Sequence, residues 1–165
     1  MANVNAHEAE AYARSLGRRL PTEAEWELAA ASSAEAEGKV AAARAVGVRR
    51  LFPWGSRAFT AELGNLDAAR NGTVDVRAFA AGDSAMGCRQ MLGNVWEWTS
   101  STFEPYPGFE RDPYADYSQP WFHTHRVLRG GSFATRARLV RNSWRNFFTP
   151  DRRDVFAGLR TAADA

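Results

Sequence analysis

Gly93-Asn94-Val95-Trp96-Glu97-Trp98-Thr99 lies near the middle of the chain and decides how the rest is read. On a strand, successive side chains point to opposite faces, so Trp96 and Trp98 turn their rings to one side and Glu97 its carboxylate to the other. Two tryptophans on one face make a core anchor. A carboxylate on a buried strand needs a partner, and two readings of Glu97 stand side by side: a cap on a backbone turn, or a catalytic acid. The cap is the simpler, so function is sought in what the anchor holds in place.

Upstream, two helix starts follow closely. Asn5-Ala6-His7-Glu8 has the form of a capping box, and the Ala- and Glu-rich run after it ends at Gly17. In Pro21-Thr22-Glu23-Ala24-Glu25, Thr22 is the expected N-cap, with Glu25 three residues on, before Trp26, Leu28 and Ala29. The charged residues of this second helix read as capping groups and solvated positions rather than a catalytic acid pair. Residues 30–50 are alanine-rich, interrupted by Gly38 and Gly47, and fit a frayed helix or a mobile insertion. Leu51-Phe52-Pro53-Trp54-Gly55 reads as a buried aromatic turn, while Asn65-Leu66-Asp67 and Gly72-Thr73-Val74-Asp75-Val76 read as short extended pieces.

Downstream, residues 103–122 are crowded with aromatics and prolines, among them Tyr106, Phe109, Tyr114, Tyr117, Trp121 and Phe122. Proline lacks the donor that a helix or central strand requires, so this is an ordered loop packed by its own rings, either walling a pocket or sealing the core. Arg126-Val127-Leu128-Arg129 is a short strand entering the turn Gly130-Gly131-Ser132, and Phe156-Ala157-Gly158-Leu159-Arg160 is a closing strand.

The chain has 165 residues, 45% of them hydrophobic, which suits one domain. Its formal charge of +2 hides a division: residues 126–160 hold nine arginines and two acids, Asp151 and Asp154, for +7 against −5 elsewhere. Arginine favours planar recognition of carboxylates and aromatic faces. These arginines alternate with buried-type residues, which argues against a nucleic-acid surface. Cys88 is a lone cysteine, no stretch is apolar enough to span a membrane, and the first residues do not resemble a signal peptide, so a cytoplasmic location is expected.

Arg19-Leu20-Pro21-Thr22-Glu23-Ala24-Glu25-Trp26-Glu27, Gly93-Asn94-Val95-Trp96-Glu97-Trp98, Arg129-Gly130-Gly131-Ser132 and Phe156-Ala157-Gly158-Leu159-Arg160 resemble, in order, the signatures of the formylglycine-generating-enzyme (sulfatase-modifying factor) domain. The resemblance covers nearly the whole chain. It implies one α+β domain over residues 1–165 with a C-type-lectin-like, loop-rich fold. In formylglycine-generating enzymes two cysteines after the Gly-Gly-Ser turn bind copper, and those positions fall near Thr135 and Val140, so that activity is not expected.

Residues 139–156 instead resemble the ergothioneine-biosynthesis branch, the EgtB-type sulfoxide synthases. Tyr106-Pro107-Gly108-Phe109, Asp112-Pro113-Tyr114 and Trp121-Phe122-His123-Thr124-His125 are similar to a sub-branch associated with selenoneine synthase. The resemblance implies a non-haem iron(II) enzyme that uses O₂ to join sulfur or selenium, from a thiol or selenol donor, to the imidazole of hercynine. Its iron histidines come from an N-terminal DinB-like domain that these residues do not contain, so Fe(II) is expected from that domain or a separate subunit. His123 and His125 could turn their rings the same way on an extended segment, but no third ligand lies at the right spacing, and with His7 they are read as structural. Arg141, Arg145, Arg152 and Arg153 are apt forks for substrate carboxylates, and Trp144, Phe147 and Phe148 are apt faces for a trimethylammonium group. The resemblance adds substrate contacts at Asn146, Phe148, Asp151 and Arg152, and suggests Tyr106 as a proton donor, against the plainer reading of a packed loop tyrosine. It also implies structural Ca²⁺ at Gln90, Gly93, Val95 and Glu97, with a second site around Asn65 and Leu66. The other reading of the chain is a non-catalytic lectin-like binding module.

Overall fold

Asn5 and Thr22 each close a capping box. The Asn5 side chain accepts the Glu8 N–H at 2.9 Å while Glu8 accepts the Asn5 N–H at 3.0 Å, starting α1 at Ala6–Ser15. Thr22 and Glu25 repeat the exchange at 3.2 and 2.7 Å, starting α2 at Glu23–Ala31. On α1 the buried positions are Ala6, Ala9 and Ala13, a stripe of small residues that lets the helix lie close to its neighbour. The computed structural model describes residues 1–32, 50–114, 116 and 118–164. Most of the alanine-rich stretch at 30–50, and the ring of Tyr117, lie outside the described residues.

Four strands form one mixed sheet: β1 (Trp96–Thr102), β2 (Arg126–Arg129), β3 (Arg145–Phe148) and β4 (Ala157–Leu159), in the order β3-β2-β1-β4. β2 is antiparallel to both β1 and β3, whereas β4 runs parallel to β1. The register aligns Gly158, Glu97, Arg129 and Arg145 in one row across all four strands. This is the expected α+β, loop-rich fold.

The two faces of the sheet bury different cores. Trp96, Trp98 and Leu128 pack with the α1 alanines and Leu20, and the Trp98 indole N–H donates to the Val4 carbonyl at 2.8 Å. Trp26 of α2 packs with Leu66, Met91, Leu92 and Val140 on the other side. Trp144 touches both clusters and meets Trp96 edge-on at 5.1 Å. The Trp-Glu-Trp alternation therefore works as expected, with both rings in the first core and Glu97 facing α2.

Three local readings change. Residues 65–67 lead into a turn rather than forming an extended piece, because Asp67, Ala68 and Asn71 take φ of 59°, 58° and 49°, which reverses the chain before residues 73–75. The segment 121–125 is likewise a turn, with His123 at φ 66°. β3 lies in a run read only for its substrate contacts, and its four positions are all half-buried, with no alternation for a sequence pattern to reveal. Among the described residues, no helix is long and apolar enough to cross a membrane.

Gly93, which leads into β1, has φ +88°, and a Cβ there would lie 2.4 Å from the Asn65 carbonyl oxygen. Gly108 has φ +81° but open space around it. Gly93→Ala is expected to cost roughly 2–5 kcal/mol in urea denaturation, against about 1 kcal/mol for Gly108→Ala. A pH effect follows from the α2 cap. The Arg19 fork, with the Thr22 N–H, holds the Glu25 carboxyl down from 4.5 to about 2. A depressed folded value means that this contribution is present above about 4.5 and is lost as pH falls towards 2. In an NMR titration, Arg19→Ala should return the Glu25 midpoint towards 4.5.

Candidate functional site

The row of charges facing α2 builds the site. Arg129 has no exposed side-chain surface, and Glu23 and Glu27, one helical turn apart on α2, reach it at 2.7 and 2.8 Å. Its guanidinium also donates to the Asn142 carbonyl and lies 5.2 Å from the Trp26 ring centroid. Beside it, Arg145 grips Glu23 with a two-point fork, Nε to Oε1 at 2.7 Å and Nη2 to Oε2 at 2.8 Å. On the other side of Arg129 in the row, Glu97 accepts from the Trp26 indole at 2.7 Å and from Arg160 Nε and Nη2 at 3.0 Å. Glu97 thus binds a helix and the β4 end to the sheet; it does not cap a backbone turn. Glu23 and Glu27, expected as capping or solvated groups, are instead the counter-ions of buried arginines.

At the outer end of the row stands Tyr106. Its hydroxyl donates to Glu23 Oε1 at 3.2 Å, and the Arg145 guanidinium is sandwiched 4.3 Å from the Tyr106 ring and 4.7 Å from Phe103. Partial burial, with the Glu23 charge next, pushes the phenol above its ordinary value, and Arg145 and Arg129 oppose the shift. The loop around Tyr106 is packed by its own rings, as its composition suggested: Phe103 meets Phe122 at 5.0 Å and stacks on Phe147 at 4.0 Å, while Phe109 meets Phe122 edge-on at 5.4 Å.

Of the candidate substrate contacts, the structure brings Tyr106 and Arg145 together at Glu23. A second group gathers at the other end of β3, on the opposite face. Phe148 packs against the α1 core, and Arg152 lies 5.0 Å over its ring while pairing with Asp154 at 2.7 and 3.0 Å. Asp151 is exposed, its carboxyl held below the ordinary value by the Thr149 hydroxyl and its own backbone N–H, with His7 and Arg152 adding to the shift. Arg153 pairs with Glu8 of α1. Asn146 accepts the Phe147 N–H at 2.9 Å, Trp144 bridges the two cores, and Arg141 is exposed and apart from both groups.

The histidines diverge. His123 pairs with Glu104 at 2.7 Å, whereas His125 packs its ring on Trp121 and Phe147 and meets the Thr124 hydroxyl at 2.9 Å. The turn through 121–125 separates the two rings, so the extended arrangement that would face them together does not form. No group of three His, Cys, Asp or Glu side chains able to hold a metal occurs among the described residues, which therefore do not fit a facial iron site. For calcium the fit is divided. Asn65 Oδ1 and Gln90 Oε1 are buried acceptors without partners, which suits an oxygen-seeking cation, but both Glu97 oxygens already hold N–H donors, one of them the Arg160 cation.

Thr135 and Val140 converge on Gly131, where a Cβ would lie 3.5 Å from the Thr135 Cβ and 3.0 Å from the Val140 Cγ1. The two positions that the resemblance aligns with cysteines thus come together here, occupied by Thr135 and Val140. Residues 1–165 match the sulfatase-modifying factor enzyme 1-like domain. The chain belongs to this sulfatase-modifying factor family. Within it, the chain is 48% identical to the hercynine oxygenase of Mycolicibacterium thermoresistibile over 98% of its own length and 35% of that protein. It is 47% identical to the hercynine oxygenase of Mycolicibacterium smegmatis, again over 98% of its length and 37% of that protein. The chain therefore spans about a third of the length of these relatives. Among solved structures, PvdO from Pseudomonas aeruginosa shares the fold, with a TM-score of 0.65 at 24% identity over 97% of this chain and 60% of that one.

Signals for most of the sulfatase-modifying factor core lie in the sequence, but nothing local marks Glu23 as the meeting point of Tyr106, Arg129 and Arg145, since its partners are 83, 106 and 122 residues away. Arg129→Ala, which removes the buried cation that Glu23 and Glu27 share, is expected to cost roughly 3–5 kcal/mol in chemical denaturation. Arg152→Ala removes only surface contacts, the pair with Asp154 and the approach to the Phe148 ring, and should leave the denaturation midpoint nearly unchanged.

Proposed function

We propose that this chain is the substrate-binding part of a non-haem iron(II), O₂-dependent sulfoxide synthase, or of its selenoneine-forming counterpart, acting on hercynine. The observation that carries this reading is the near-half identity, sustained over almost the whole chain, to proteins named hercynine oxygenase. Iron belongs in this reading to the complete enzyme, where a DinB-like domain or subunit supplies its ligands and the oxidative chemistry. This chain's residues bind and orient. Arg152, Arg153 and Arg141 are exposed guanidinium groups suited to carboxylates, and the surface pairs of the first two with Asp154 and Glu8 exchange at little cost. Phe148 and Asp151 border Arg152, and Asn146 faces the same side of β3 as Phe148. Trp144 and Arg145 act from beneath by fixing β3. Tyr106, with its hydroxyl at the loop surface, is the proton donor of this reading.

A lectin-like binding module is the second reading, favoured by the exposed rings of Tyr106, Phe109, Tyr114 and Trp121 on one long loop. Calorimetric titration with hercynine against unmethylated histidine separates the two. The enzyme reading expects saturable hercynine binding that weakens about tenfold or more in Asp151→Ala or Arg152→Ala, the loss of one charge-assisted contact. No saturable binding would sink it.

A further inference from the structure

We propose that Glu23 is a positioning residue for Tyr106, holding its hydroxyl and the Arg145 fork as one rigid unit at the mouth of the site. The inference rests on the reading of Tyr106 as the proton donor. Glu23 is the first residue of α2, and its backbone N–H is held by the Ser101 hydroxyl at 2.9 Å, so the side chain leaves from a fixed point on the sheet. Its carboxylate then takes four hydrogen bonds. Arg129 Nη1, Arg145 Nε and the Tyr106 hydroxyl share Oε1 at 2.7, 2.7 and 3.2 Å, while Arg145 Nη2 takes Oε2 at 2.8 Å.

Arg129 is the completely buried member, and it takes Glu27 and the Asn142 carbonyl besides Glu23. Arg145 and Tyr106 extend the network outward from it. Arg145 is tied further by Nη1 to the Glu104 carbonyl at 2.9 Å and is stacked between Phe103 and Tyr106. The phenol is thus fixed at its oxygen by a carboxylate and on its ring by a guanidinium. Tyr106 is 53% exposed, so a group held from beneath still meets solvent and ligand. With its proton directed to Glu23, the phenol presents its oxygen lone pairs outward. Donation to a ligand then requires the hydroxyl to swing away from Glu23, a short rotation about the C–O bond that leaves the ring in place.

The charges facing the phenol are Glu23 and Glu27 from α2, Arg129 from β2 and Arg145 from β3. They give the proposal a signature of opposite signs. Removing the Glu23 charge leaves two arginines beside the phenol and should lower its titration midpoint. Removing Arg145 should raise it. The test is the tyrosinate absorbance titration of the chain, with Tyr106→Phe as the blank that isolates this one phenol among four tyrosines. In Glu23→Gln the Tyr106 midpoint is expected to fall by about one unit or more, and in Arg145→Gln to rise by a similar amount. A change in packing alone would not move the two variants in opposite directions. Should Glu23→Gln fail to fold, Arg145→Gln and Glu23→Asp, which keeps the charge but draws it back from the phenol, carry the same reading; the latter is expected to lower the midpoint. Midpoints unchanged in the folded variants overturn the proposal. Hercynine titration on the same samples separates the two layers. Shifts without hercynine binding leave the clamp standing and overturn the substrate reading, while binding without shifts overturns the clamp alone.

Discussion

A guanidinium with no exposed surface imposes its own architecture. Burying Arg129 without partners would cost several kcal/mol, so carboxylates must reach it at good geometry, and only α2, laid across the sheet, supplies two of them one turn apart. That requirement sets how α2 lies on β1 and β2. It also explains why Glu97 and Arg145 are the neighbours of Arg129 across the sheet: alternating signs along Glu97, Arg129 and the Glu23-Arg145 pair keep a polar layer neutral between the α2 core and the strands. Each member has a partner of opposite charge at 3.0 Å or less.

On the other face the logic is apolar. Small residues on α1 permit close approach, Trp96 and Trp98 fill the space, and Trp144 joins the two cores around the end of the sheet. The turns that let these layers meet use residues in the left-handed region, Gly93, Gly130 and Gly131 among them, where neighbouring backbone or side chains leave no room for a further carbon.

β3 connects this frame to the candidate site and sorts its residues. Arg145 points into the polar layer with Tyr106, whereas Asn146 and Phe148 point to the opposite face, near Arg152. Three steps of roughly 3.3 Å carry the strand about 10 Å from Arg145 to Phe148, and its pleat sends the two side chains to opposite faces.

Both helix starts were legible in the sequence, because a capping box is a local exchange between residues three apart, and so was the facing of Trp96, Glu97 and Trp98, which follows from strand pleat alone. The four spaced motifs carried the family. The turn at 67–71 was missed because left-handed Asp67, Ala68 and Asn71 carry no obligatory sequence mark, and β3 was passed over because half-burial at every position erases the alternation that marks a strand. The partners of Glu97, Glu23 and Arg145 were decided by tertiary structure only. Each lies 41 residues or more from the groups its side chain hydrogen-bonds, and a carboxylate's role as cap, counter-ion or acid depends on which distant donors the packed helix and sheet bring within reach.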